Sequence, residues 1–277
     1  MSATTIEKVE SHYARDADIP LRIAAALREA GKDPAFLAPA DLAPVDEFHI
    51  RGRDATLELA RRVAPRRGER VLDLGCGLGG SARFLAAEHG CAVTGIDLTH
   101  AYVAAARELT RWVGLDGGVA FEAADALSLP FDDASFDIVW SEHVQMNIGD
   151  KDRLYAEISR VLAPGGRLAF HDFLRGTGEP DFPVPWADDA SISFLVEPQA
   201  LREALARAGL RLAEWDDRTS LSADWLADRL SQPGPPPLGV HLLMGATART
   251  KFDNVLRGLR DGRLRVVQAV ALKADHG

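Results

Sequence analysis

The segment from Arg70 to Gly95, RVLDLGCGLGGSARFLAAEHGCAVTG, restricts the fold of this chain more than any other. Val71, Leu72 and Leu74 make a short apolar strand, interrupted by Asp73 just before Gly75, Gly77, Gly79 and Gly80. A helical run follows with Ala82, Leu85 and Ala86 on one face. A strand that feeds a helix through a glycine turn opens a nucleotide-binding βαβ unit. Glycine accepts positive φ there and lets a ligand approach the main chain.

The glycine spacing alone does not choose the ligand. Gly75, Gly77 and Gly80 satisfy G-x-G-x-x-G, a pattern that suits NAD. Asp97 ends the next apolar run, Cys91 to Ile96, and a carboxylate there can accept hydrogen bonds from both hydroxyls of a ribose. That serves NAD and S-adenosylmethionine equally. Asp73 separates them. A carboxylate ~4 Å from a phosphate charge costs on the order of 4 kcal/mol at an effective dielectric of ~20. The same carboxylate attracts the sulfonium and ammonium of S-adenosylmethionine. A third acid, Asp125, ends the strand-like VAFEAAD. Asp73, Asp97 and Asp125 thus close three successive strands, at the sheet edge where ligands bind in parallel α/β folds.

DLGCGLGGSARFLA resembles motif I of the class I S-adenosylmethionine-dependent methyltransferases. The likeness runs from about Val63 to Lys273 and is greatest to the small-molecule branch that includes sarcosine/dimethylglycine and quinone methyltransferases. The L-x-P-G-G turn in LAPGGRLAFHDF resembles a late motif of that family. The resemblance implies an α/β fold: a doubly wound, mostly parallel, seven-stranded Rossmann-like sheet with an antiparallel last strand, here RLRVVQAVALK. It implies an N-terminal helical lid over residues 1–62. It also implies a cofactor-binding domain over 63–277, with acceptor-pocket insertions at 174–196 and 218–248. S-adenosyl-L-methionine is the implied cofactor. Asp125 and Ala126 match the position that contacts the adenine edge. Gly75 and Gly77 match the turn under the cofactor, with Leu98 and Ser141 beside it.

In chain order, residues 4–15 and 20–30 read as helices, and a third helix carries Thr56, Leu59, Ala60 and Val63 at i, i+3, i+4, i+7. The proline-punctuated stretch between the last two reads as a loop with one short turn. Tyr13 is placed to close over the methionine end, since aromatic faces attract cations, or to pack the lid. Phe48 and His49 read as packing residues. FDIVW is a continuously apolar strand, after which Ser141, Glu142 and His143 emerge. RGTGEPDFPVPWADDASISFLV reads as a long loop lining an acceptor pocket.

Methyl transfer from a sulfonium needs a base only where the acceptor carries a proton that must leave early, as a hydroxyl does. His143 is the candidate base and Asp172 its orienter, a layout similar to some sugar and natural-product O-methyltransferases. A role for His143 in shaping the pocket stays open, and Glu142 is an alternative holder of an ammonium acceptor. His171 alternates with Asp172 along its strand and is left out of the chemistry.

Composition excludes other classes. The chain of 277 residues carries a net charge of -9 and no basic cluster, which argues against a nucleic-acid substrate. No apolar run reaches 18 residues, so no membrane span is expected. Two cysteines without a CxxC pair, and an N-terminus without an apolar h-region, point to the cytoplasm. No His/Cys cluster has metal spacing, so no metal is expected. The expected activity is methyl transfer to an O or N atom of a small-molecule acceptor. C-methylation of a quinone-like or isoprenoid acceptor, an NAD-linked oxidoreductase and a non-catalytic binding module are alternatives. A homodimer is left open.

Overall fold

A computed structural model describes residues 3–13 and 18–274. Its centre is a seven-stranded sheet: β1 Arg70–Leu74, β2 Ala92–Asp97, β3 Val119–Ala123, β4 Phe136–Glu142, β5 Leu162–Arg175, β6 Leu210–Asp217 and β7 Leu264–Lys273. The order is β3-β2-β1-β4-β5-β7-β6, with β7 antiparallel to both of its neighbours, as the family resemblance implied.

Strand alternation sends side chains to two separate cores. Leu72, Leu74 and Val139 pack with α7 (Lys151–Val161) and α8 (Pro198–Arg207), through Leu154, Ile158 and Leu201. Val71, Ile138 and Trp140 pack on the opposite face with α4 (Arg53–Val63), α5 (Gly80–His89) and α6 (His100–Trp112). Because the central strands are buried on both faces, they read as near-continuous apolar runs.

The predicted N-terminal helices are α1 (Ala3–Tyr13) and α2 (Ile19–Glu29); residues 14 and 15 of the first prediction lie outside the described residues. The expected loop between α2 and α4 instead contains α3, Pro39–Asp46. Pro39 supplies the preset φ of a first helical turn, and the Ala38 amide donates to Asp41 Oδ2 at 2.8 Å. Pro44, the residue that disguised this helix, is tolerated because Leu42 and Val45 are fully buried. The expected boundary at residue 62 falls inside α4. Leu59, Ala60 and Val63 pack against β1, β4, β5 and β7, so α4 is a layer of the sheet, and only α1–α3 lie outside it.

Residues 176–197 form a long loop whose one helical turn is Ala190–Ile192. With α1, α9 (Thr219–Ser231) and α10 (Ala248–Arg260) it builds a third core around Trp186, Phe173 and Leu259. The two sequence insertions and α1 therefore meet above the ends of β4, β5 and β7.

Candidate active site

The turn after β1 is held by geometry that only glycine supplies. Gly75, Gly77 and Gly79 have φ of +73, +52 and +83°. The amides of Gly75 and Cys76 both donate to Ile96 O at 2.8 Å, tying the turn to the end of β2. A Cβ on Gly75 would lie 2.3 Å from Val144 Cγ2, so the turn packs directly beneath the loop after β4. At Gly77 a Cβ would meet nothing within 4 Å, and the residue borders an open cleft of about 1140 Å3, its mouth included.

Asp73, Asp97 and Asp125 all line that cleft, with Leu98, Ala126 and Tyr13. Asp97 Oδ2 accepts the Gly77 amide at 3.0 Å and Oδ1 the Thr99 amide at 2.8 Å, so it braces the glycine turn while facing the cavity. Burial raises its pKa, and these amides oppose the rise. Asp125 Oδ1 accepts the Leu127 amide at 2.9 Å. Asp73 differs from both: its Oδ2 is buried without a partner. Burial, and then the neighbouring Glu142 carboxylate, push its pKa up to about 8. A buried acid in this state is satisfied by a cation. The residues thus fit a cationic adenosyl compound: an acid for its ammonium, an acid placed for its ribose, and a turn open to its main-chain approach.

Tyr13 closes the cleft from α1. Its hydroxyl donates to Asn147 Oδ1 at 2.9 Å, and its ring meets those of Tyr102 and Phe48 edge-on. Beneath the N-terminal segment, buried Arg83 on α5 donates to Asp46 Oδ2 at 2.6 Å and to Leu78 O at 2.7 Å, which pins α3 to the glycine turn.

Two expected site residues lie elsewhere. Asp172 does not orient His143. Its Oδ2 accepts the amides of Val144 and Gln145, both at 3.0 Å, and its Oδ1 accepts the Phe173 amide at 2.8 Å. It caps the turn that follows His143. Ser141 is buried and borders, with Asp172 and Gln145, a small separate cavity on the α7 face. The reason is register: Ser141 pairs with Phe170 and Glu142 with His171, so Ser141 and Asp172 share one face of the sheet, while Glu142 and His171 share the other.

His143 therefore meets His171, the residue left out of the sequence reading. Their rings stack with centroids 5.1 Å apart, and His49 approaches both, at 6.0 and 5.9 Å. His143 has φ +55°, a left-handed conformation that costs of order 1–3 kcal/mol and concentrates at functional sites. Its amide donates to His171 O at 2.8 Å. Burial and the two imidazoles lower the His143 pKa, so the ring is neutral near pH 7. Its Nε2 is buried with no partner. The side chain of His171 is fixed by a 3.1 Å bond from Nε2 to Ile50 O, which requires the proton on Nε2.

Glu142 joins these groups to the cofactor end. Its Oε2 accepts from Ser81 Oγ at 2.6 Å and Trp140 Nε1 at 2.8 Å, and lies 3.5 Å from His49 Nε2. Glu47 lies 3.7 Å from the same nitrogen, and burial raises its pKa to about 8. Sequence reasoning read Phe48 and His49 as packing residues and passed over Asn147, Tyr102 and Met146; all of them line the cleft. Inter-strand register, which the sequence does not carry, brings His171 here; nothing local marks Asn147.

Residues 72–170 match the sequence profile of the methyltransferase domain family. The chain is 38% identical over 138 residues to methyltransferase GfsG of Streptomyces halstedii, covering 50% of each chain. It is 36% identical over 175 residues to the glycine/sarcosine/dimethylglycine N-methyltransferase of Actinopolyspora halophila, covering 63% of this chain and 31% of that one. The chain thus spans half or less of the length of these relatives. In fold, it superposes on the geranyl diphosphate C-methyltransferase of Streptomyces coelicolor, with a TM-score of 0.74 at 19% identity over 99% of each chain. Motif, topology and profile agree: residues 72–170 carry the methyltransferase domain, on the sheet topology that the resemblance to class I S-adenosylmethionine-dependent methyltransferases implied.

Proposed function

We propose that this chain transfers the methyl group of S-adenosylmethionine to an O or N atom of a small-molecule acceptor. The observation that carries the reading is the buried Asp73 carboxyl, with its Oδ2 unpartnered, in a glycine-turn cleft shared with Asp97 and Asp125. Bound there, the cofactor supplies a sulfonium-activated methyl group, so the protein's task is alignment and exclusion of water. Asp73 holds the cofactor's ammonium, Asp97 the ribose hydroxyls, and Asp125 with the Ala126 amide the adenine edge. Tyr13 covers the methionine end, and α1–α3 act as its lid. His143 takes the proton of a hydroxyl acceptor, in the neutral form that its surroundings maintain.

The curated relatives bear O- and N-methyltransferase names, which supports acceptors of those two kinds. Two free, buried cysteines support a reducing, cytoplasmic setting. No described helix is long and apolar enough to cross a membrane.

The test is titration with S-adenosylhomocysteine, followed by a screen of acceptors with labelled cofactor. Saturating S-adenosylhomocysteine at 100 times its Kd should stabilise the fold by about 2.7 kcal/mol, seen as a higher Tm. A Tm that does not move would remove the reading.

A further inference from the structure

The acceptor end of the cleft has a charge character that none of the sequence motifs encodes. Five carboxyl groups line the cleft: Asp46, Asp73, Asp97, Asp125 and Glu142. Among the described residues, no lysine or arginine lines it. Asp46 is matched by Arg83. Three others sit on the cofactor side. Glu142 lies between the two sides: its Oε2 is held by Ser81 and Trp140 and lies 3.5 Å from His49 Nε2, and its Oε1 is buried without a partner. Beside Asn147 and the imidazoles of His49 and His143, the acceptor end is walled by Val9, Phe48, Met146, Pro185 and Trp186. Trp186 is itself locked, with its ring 4.7 Å from Phe173 and its Nε1 donating to Ser193 Oγ at 3.0 Å. Its backbone O accepts from Asn147 Nδ2 at 2.8 Å, which joins this wall to the residue that holds Tyr13.

Resting on the methyltransferase reading above, we propose that the acceptor is an uncharged alcohol or phenol on an apolar body, and that Glu142 sets this selectivity by rejecting anionic acceptors. A carboxylate, phosphate or diphosphate brought to this end would be desolvated beside a buried carboxylate, with no lysine or arginine of the described residues lining the cleft to compensate it. An apolar body fills the space between Trp186, Phe48 and Met146, and its hydroxyl reaches the imidazoles of His143 and His49. Rejection by like charge and unpaired polar atoms is the physical means by which such a site discriminates.

The experiment uses the full chain loaded with S-adenosylhomocysteine, and equilibrium dialysis of three matched probes: 2-naphthol, 2-naphthyl phosphate and 2-(aminomethyl)naphthalene. The expected result is 2-naphthol bound at least tenfold more tightly than the phosphate and more tightly than the amine. Glu142→Gln should narrow the naphthol-to-phosphate ratio at least threefold. Phosphate bound as well as naphthol, the amine bound most tightly, or no binding of naphthol would each overturn the acceptor class. A ratio unchanged in Glu142→Gln would overturn the role of Glu142. Loading with S-adenosylhomocysteine is measured first. Its failure removes the methyltransferase reading itself, whereas normal loading with the phosphate preferred removes only this inference.

Discussion

The cofactor end and the acceptor end of the cleft are built in opposite ways. The cofactor end comes from one continuous stretch, Asp73 to Ala126, in which each successive strand delivers an acid at its carboxyl edge. Its hydrogen bonds are short-range or run between adjacent strands, as from Gly77 to Asp97 and from Thr99 to Asp97. The acceptor end is assembled from Val9 and Tyr13 on α1, Phe48 and His49 before α4, the turn after β4 and the loop carrying Trp186. Its ties span the chain: Tyr13 to Asn147, Asn147 to Trp186, and His171 to Ile50. Buried Lys151 adds another, donating to Gln145 O at 2.7 Å and Phe194 O at 2.9 Å, so the turn and the loop move together. A shared scaffold can therefore keep one end constant while the acceptor end varies through segments far apart in sequence.

If the two ends are separable in this way, substitutions should divide cleanly between them. The largest expected effect is at the acceptor end. His143→Ala should lower O-methylation kcat by about 10²–10⁴-fold, the usual contribution of a general base. Calorimetric affinity for S-adenosylhomocysteine should stay within about threefold. A comparable loss of affinity would show the ends to be one unit.

At the cofactor end, Asp97→Ala removes a carboxylate that accepts two backbone amides. The loss of hydrogen bonds to a charged group, about 1.5–3 kcal/mol, should weaken S-adenosylhomocysteine by about 10- to 150-fold in titration. Rates at saturating cofactor should change far less.

Asp73 adds a pH signature to ligand binding. Its pKa in the folded protein, about 8, lies above the ordinary carboxyl value. The folded chain therefore holds a proton that the unfolded chain has lost, and stability falls as pH rises from about 4 through 8. A bound ammonium favours the carboxylate, so binding should release close to one proton near pH 7. Affinity for S-adenosylhomocysteine should rise about fivefold from pH 7 to 8. Calorimetry in buffers of different ionisation enthalpy measures this directly, and zero release would refute the assignment. Asp73→Asn should raise the Tm of the ligand-free protein at pH 8 while weakening the ligand.

The smallest effect falls on the contact between the ends. Tyr13→Phe deletes the bond to Asn147 and should weaken cofactor by about 0.5–1.5 kcal/mol, or two- to twelvefold. An effect larger than that of Asp97→Ala would make the lid, not the strand edge, the main determinant of affinity.

The central strands, the glycine turn and the three acids were legible in the sequence, because each rests on a local rule; the antiparallel last strand was implied by the family resemblance, and the strand order came from the structure. Apolar runs buried on two faces read as parallel strands, and Gly75 and Gly77 mark the turn by themselves. Helix α3 was hidden because Pro44 opposes local propensity while the burial of Leu42 and Val45 overrides it. The pairing of His143 was decided only by tertiary structure. Which residue of β5 meets the turn after β4 depends on inter-strand register, and register places His171 beside Glu142 and turns Asp172 to the opposite face. A period of two says that neighbours point apart, but it does not say which of them shares a face with another strand. The apolar acceptor wall belongs to the same class. Val9, Phe48, Met146 and Trp186 carry no common pattern in sequence and meet only because α1 and the long loop close over the ends of β4 and β5.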